Sequence, residues 1–171
     1  MELHPQEAER LAALVNYGVL DTEAEESFDR LTRMAANIFD TPIALVSLLD
    51  SKRQWFKSAF GLDARETPRE IAFCTHAIMK DEVMVVPNAT EDPRFAANPL
   101  VTGNPNIKFY AGAPLRTDSG LPLGTMCVID RRPREMTARE RQMLDDFSGL
   151  VMDALELRRM RRRLAMVEGR H

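Results

Sequence analysis

Apolar positions along this chain repeat at helical spacing, then at strand spacing, then at helical spacing again. From Pro5 to Tyr17, Ala8, Leu11, Leu14 and Val15 fall on one helical face. Gly18 stands where a left-handed cap is expected, with Val19 and Leu20 as its hydrophobic contact. Thr22 and Glu25 have the spacing of a capping box. The stripe Phe28, Leu31, Ala35 and Ile38 then predicts a second helix packed on the core.

The period changes at Ile43. The unbroken apolar run Ile43 to Leu49 predicts a central strand buried on both faces, and Gln54 to Phe60 returns beside it. Thr67-Pro68-Arg69-Glu70 has the form of a helix entry, leading to a short helix that carries Phe73, Cys74, His76, Ala77 and Ile78. Val83 to Val86 is a short strand closed by Pro87. Residues 88–106 lack a period and are punctuated by Asn, Pro and Gly, as binding loops and lids often are. Lys108 to Arg116 and Leu123 to Asp130 are two more strands around a Gly120 turn.

Thr137 and Glu140 form another capping box, and nothing breaks the helix they open until about Glu168. About 31 residues at about 1.5 Å each make a rod of about 47 Å, longer than the domain needs. Met143, Phe147, Leu150, Ala154 and Leu157 alternate steps of four and three, a heptad seam that continues to Leu164. Carried on at the same spacing, the seam takes in Arg161, whereas the steps Leu157–Met160–Leu164–Val167 keep it apolar and overwind it locally. Such a helix is expected to pair with a second copy.

Composition narrows the classes. The chain has 171 residues, 44% hydrophobic and 29% charged, which fits one globular domain with its own core. No apolar run reaches the length of a membrane span, and the first residues lack a signal-peptide pattern, so a cytoplasmic protein is expected. Two cysteines, Cys74 and Cys127, supply neither a disulfide framework nor a cysteine zinc site, and no metal site is expected. The net charge of −3 divides into −7 over residues 1–130 and +4 over residues 131–171. Arg158, Arg159, Arg161, Arg162 and Arg163 crowd the end of the last helix, but no aromatic is interleaved to stack a base, so no nucleic-acid partner is expected. The chain divides into a domain over 1–157 and a basic extension over 158–171.

The blocks PIALVSLLD, RQWFKSAFGL, ETPREIAFCTHAI, VVPNATEDPRFAANPLVTG, IKFYAGAPL and GTMCVID resemble the GAF sensory domains of bacterial signalling proteins. The resemblance runs from about Leu14 to about Val151. It implies an α+β, GAF/PAS-like fold: an antiparallel sheet of five to six strands in the order 2-1-5-4-3, with the terminal helices on one face. It implies a small-molecule pocket on the other face, homodimers through the terminal helices, and an output domain or partner protein that receives the signal. The dimer seam is Met143, Phe147, Leu150, Ala154, Leu157 and Leu164.

The pocket of such a fold lies between the sheet and the segments 61–82 and 88–106. Its lining by position is Trp55, Phe73, Cys74, His76, Phe95, Phe109 and Tyr110, with Arg69, Asp92 and Arg94 as contacts for ligand charge. Aromatic walls with a few polar groups suit a small molecule; the same aromatics also serve to fill a core. Cys74 and His76 diverge by about 200° on one helix, so they make no nucleophile–base pair. The free methionine sulfoxide reductases of this fold depend on a cysteine set that Cys74 and Cys127 do not reproduce. Bilin attachment of the phytochrome type takes a cysteine next to a histidine, and here Thr75 intervenes. Asn106-Ile107-Lys108-Phe109-Tyr110 echoes the cyclic-nucleotide signature without its acidic pair. The expectation is a non-enzymatic sensor with an unknown ligand, against two alternatives: a structural dimerisation domain with a filled pocket, and a redox sensor through Cys74.

Overall fold

In the computed structural model, which describes residues 1–169, two helices lead into an antiparallel sheet and one long helix leaves it. Helices α1 (Glu7–Tyr17) and α2 (Glu26–Phe39) precede strands β1 (Ile43–Leu49), β2 (Arg53–Phe60) and β3 (Glu66–Pro68). The crossover holds a 3-10 turn (Arg69–Ile71), α3 (Cys74–Ala77), strand β4 (Met84–Val86), a second 3-10 turn (Ala89–Glu91) and α4 (Pro99–Thr102). Strands β5 (Phe109–Arg116) and β6 (Pro122–Asp130) and helix α5 (Ala138–Glu168) follow.

The sheet order is β3-β2-β1-β6-β5-β4. The five strands read from the sequence keep their expected order, and β3 adds a sixth along the edge of β2. Strand β1 is buried along its whole length because the sheet is covered on both sides. On one side Ala44, Val46, Leu48, Ala111 and Val128 pack with Phe28, Ala35 and Phe39 of α2 and with Leu144, Val151 and Leu155 of α5. On the other, Ile43, Leu45, Phe56, Tyr110, Cys127 and Ile129 meet Phe73, Phe95, Val101 and Ile107 of the crossover.

Local details depart from the expected ones where tertiary contacts override spacing. Helix α1 buries Arg10, Leu14 and Tyr17, while Val15 is exposed. Arg10 turns inward because Glu7, Leu49 O and Pro122 O accept its N–H groups. Gly18 takes the left-handed cap at φ 60°. Thr22 and Glu25 form no capping box: the Thr22 hydroxyl donates to Val19 O and accepts from Lys57. Helix α2 buries Phe28, Thr32, Ala35, Ala36 and Phe39 and leaves Ile38 exposed. Thr67 accepts from Gln54 Nε2 at 2.9 Å as β3 pairs with β2, so the segment opens only the 3-10 turn Arg69–Ile71, and α3 begins later, at Cys74. The 88–106 stretch is ordered by its own turns and seats Phe95 and Val101 in the core. The capping box of Thr137 and Glu140 forms as expected.

Candidate functional site

A small cavity lies between the sheet and the crossover. Strand residues Leu45, Phe56, Tyr110, Cys127 and Ile129 form its floor, and Leu62, Phe73, Leu100, Pro105 and Ile107 its roof, with Gln54 and Thr67 also in the lining. Its volume is about 30 Å³. That admits a water or two and falls well short of the roughly 300 Å³ and more of a drug-sized ligand site. Phe73 stacks on Phe95 with ring centroids 4.1 Å apart and planes 7° apart, and Tyr110 tilts against Phe73 at 5.0 Å. These aromatic contacts are a gain in their own right, beyond area burial. The Tyr110 hydroxyl bonds to Thr125 Oγ1 at 3.3 Å, while Ser47 Oγ is buried with no partner among the described residues. Burial pushes the Cys127 thiol up to about 12.

Of the seven residues expected in the lining, the structure brings Phe73 and Tyr110 to it. Trp55 and Phe109 project to the helix side, because successive side chains on a strand alternate and the neighbours Phe56 and Tyr110 hold the cavity side. Phe95 stands behind Phe73. Cys74 is fully buried among Leu49, Ala72 and Ile78, and burial holds its thiol well above the ordinary range. A buried, protonated thiol is not poised for oxidation, which counts against the redox alternative. His76 is exposed, its ring edge on Phe95; partial burial and the Arg94 charge lower its pKa.

The charged candidates are occupied elsewhere. Arg69 is buried and pairs twice with Glu7, at 2.8 and 2.9 Å, beside Arg10 on the same carboxylate. Burial alone raises the Glu7 pKa, but the hydrogen bonds and charges of Arg69 and Arg10 outweigh it and hold the group at about 2. This triad fastens the start of α1 to the β1–β2 turn through Asp50 O. Asp92 and Arg94 pair with each other through two side-chain bonds, at 3.0 and 2.7 Å, so they form a loop salt bridge.

Spacing gave no sign of a second polar centre behind the cavity floor. Val46 pairs with Ser58 and Ser47 with Phe56, so Lys57 is the extra residue of a β-bulge. Alternation from Phe56, which lines the cavity, puts Lys57 on the α2 side, and the bulge brings the next residue, Ser58, to that side as well, where it meets Thr32 and Asp29. Its buried ammonium donates to Thr22 Oγ1 at 2.9 Å, Glu23 O at 2.5 Å and Glu25 Oε2 at 2.6 Å, and lies over the Phe28 ring. Glu25 Oε2 also accepts Arg158 Nε at 2.7 Å. Burial acts to raise the Glu25 pKa; Lys57 and Arg158 prevail and lower it.

Helix α5 uses part of the basic run on its own domain. Arg158 and Arg162 donate to Gly18 O at 3.1 and 3.2 Å, supplying α1 with the C-terminal cations its own last turn lacks. Arg159 lies over the Tyr17 ring and pairs with Glu156, which accepts the Tyr17 hydroxyl. Of the seam residues, Phe147 is buried in the domain's own core, and Met143 and Ala154 are partly covered by it. Leu150, Leu157 and Leu164 are about half exposed, and so are Met160 and Val167.

The family model of the GAF domain matches residues 23–155. The chain belongs to the GAF domain family. Over 147 residues this GAF domain is 50% identical to a cyclic di-GMP phosphodiesterase of Pseudomonas aeruginosa, a match over 85% of this chain and 25% of that protein. The chain thus spans about a quarter of that relative's length. Among solved structures, it resembles the GAF domain of an Acinetobacter phosphoenolpyruvate-protein phosphotransferase at TM-score 0.65, with 15% identity, covering 90% of this chain and 95% of that one. It also resembles a free methionine-R-sulfoxide reductase of Neisseria meningitidis at TM-score 0.64, with 15% identity, covering 93% and 98%. These findings correct the expectation of a protein apart from enzymes: the 50%-identical relative is named as an enzyme, and a reductase has the GAF fold. Among the described residues no helix is long and apolar enough to cross a membrane.

Proposed function

We propose that this GAF domain is a sensor module of a cytoplasmic protein that turns over cyclic di-GMP, and that it works as a homodimer. The observation that carries the reading is the 50% identity, over 85% of this chain, to one quarter of a cyclic di-GMP phosphodiesterase. A module that fills a quarter of such an enzyme is suited to govern its activity. In this reading a small molecule enters between the sheet and the crossover, displacing the Phe73–Phe95 stack. The floor residue Phe56 shifts with it, and the adjacent Lys57 passes the change through Glu25 to Arg158 on α5. The ligand acts by binding the opened state more tightly than the closed one.

A dimerisation module with a permanently filled pocket is the second reading, and the cavity volume of about 30 Å³ favours it. A native mass spectrum of freshly purified protein separates the two. A dimer that carries non-covalent mass is expected for the sensor. A clean apo dimer, with no mass gained from small-molecule extracts, overturns the sensor reading in favour of the second. A monomer overturns the homodimer.

A further inference from the structure

The five arginines near the end of α5 divide by the face they occupy. With Leu150, Leu157 and Leu164 taken as heptad position a, Met160 and Val167 fall at d. Arg158, Arg159 and Arg162 then fall at b, c and f, and these three bond within the domain, to Glu25, Glu156 and the carbonyls of Tyr17 and Gly18. Arg161 and Arg163 fall at e and g, flanking the apolar stripe; both are exposed, and among the described residues neither has an ion-pair partner. Glu156 and Glu168 occupy the other g and e positions. The stripe itself is bare: Leu157 is 48% exposed, Met160 62%, Leu164 59% and Val167 56%.

We infer that this stripe takes the same helix of a second copy, parallel and in register, with Glu156 facing the second copy's Arg161 and Arg163 facing its Glu168. The inference rests on the homodimer reading above and adds its orientation and register. In a parallel coil each g residue meets the e residue five positions on in the other helix, and both such pairs here are of opposite charge. In an antiparallel coil, e faces e, so Arg161 would meet a second Arg161. Each copy of an isologous dimer makes each pair, giving four ion pairs in all. The Glu156 carboxylate has acceptor positions beyond those used by Tyr17 and Arg159. Asp153, at d, would face its own copy, so the helices splay there and close from Leu157 onward.

Cysteine cross-linking and charge exchange on the full chain test this. Both native thiols are buried, so an added cysteine reports without background. Under mild oxidation Leu164→Cys is expected to cross-link to itself quickly, and Met166→Cys, on the outward face, is not. Arg163→Glu and Glu168→Arg are each expected to weaken the dimer about tenfold in sedimentation equilibrium, and the double exchange to restore it within about twofold. Circular dichroism checks that each variant is folded. A wild-type dimer in which Leu164→Cys fails to cross-link, or in which the double exchange is as weak as the singles, overturns the register and leaves the homodimer standing. A chain that is monomeric throughout assigns the stripe to a helix of another protein and overturns both.

Discussion

Arg158 Nε donates to Glu25 Oε2 at 2.7 Å across 133 positions of chain, onto the same oxygen that holds the buried Lys57 ammonium at 2.6 Å. One carboxylate on the α1–α2 connector therefore serves a strand on one side and the last helix on the other. An ammonium out of water needs its counter-charge, so the connector is fixed against β2 whatever α5 does. Helix α5 gains its anchor from a group already held in place.

Removing that shared charge is expected to loosen both sides. Glu25→Gln leaves the Lys57 ammonium without its carboxylate and should cost about 2 kcal/mol, below the usual buried-pair loss because Glu25 is 36% exposed. Chemical denaturation measures the loss, and amide exchange across Arg158–Arg162 should quicken. Unchanged stability together with unchanged exchange would mean that the Lys57 charge is met by its other partners alone.

Acid should remove a stabilising charge at Glu7. Its carboxyl ionises at about 2 in the folded chain against an ordinary 4.5, so the folded state favours the charged form. The resulting stabilisation is complete above about pH 4.5 and is lost as the pH falls toward 2. Glu7→Gln should cost about 3 kcal/mol at neutral pH, because Arg10 and Arg69 are left buried together without a counter-charge. The variant should also show a flatter fall in denaturation midpoint between about pH 5 and about pH 2.5. If wild type and variant lose stability in parallel through that range, the acid sensitivity belongs to other carboxylates.

The strands were legible because burial on both faces leaves an unbroken apolar run, as in Ile43–Leu49. The parity of side chains along those strands was not. Trp55 and Phe109 have the chemistry of pocket walls, yet the ladder register turns Phe56 and Tyr110 to that side. The bulge at Lys57 is invisible to periodicity, since an extra residue shows only once the partner strand is known. Arg69 is expected to meet ligand charge, and its burial was not legible because the carboxylate that allows it comes from Glu7, 62 positions away. Capping was legible where both partners are local, at Thr137 and Glu140, and not at Thr22, whose hydroxyl Lys57 takes from 35 positions away.

The crossover depends on one aromatic stack. Phe95→Ala removes the ring lying 4.1 Å from Phe73 and should cost about 3–5 kcal/mol. The segment 88–106 should then be cut by protease while the sheet stays resistant, and the enlarged cavity should bind small apolar probes. A variant as protease-resistant as wild type would show that Val101 and Ile107 are enough to hold the segment down.

Thiol titration reads the state of the core directly. Cys74 and Cys127 are both buried, and burial raises both thiols. Neither should react with an aromatic disulfide reagent at neutral pH until denaturant is added, and the two should then react together. Rapid reaction of one thiol in native protein would expose an opening that this structure does not have, and would reopen the redox alternative for Cys74.

Two truncations separate the roles of the last helix. Ending the chain after Leu157 removes Arg158 and Arg162, and with them the donors to Glu25, Tyr17 O and Gly18 O. A loss of about 1–3 kcal/mol is expected from those hydrogen bonds. Ending it after Arg163 keeps every one of them while deleting Leu164 and Val167 from the exposed stripe. That chain should unfold at the wild-type denaturant midpoint and self-associate more weakly. Equal loss of stability in both truncations would mean that the outer turns of α5 stabilise the fold themselves, and that the arginine contacts to the connector contribute little.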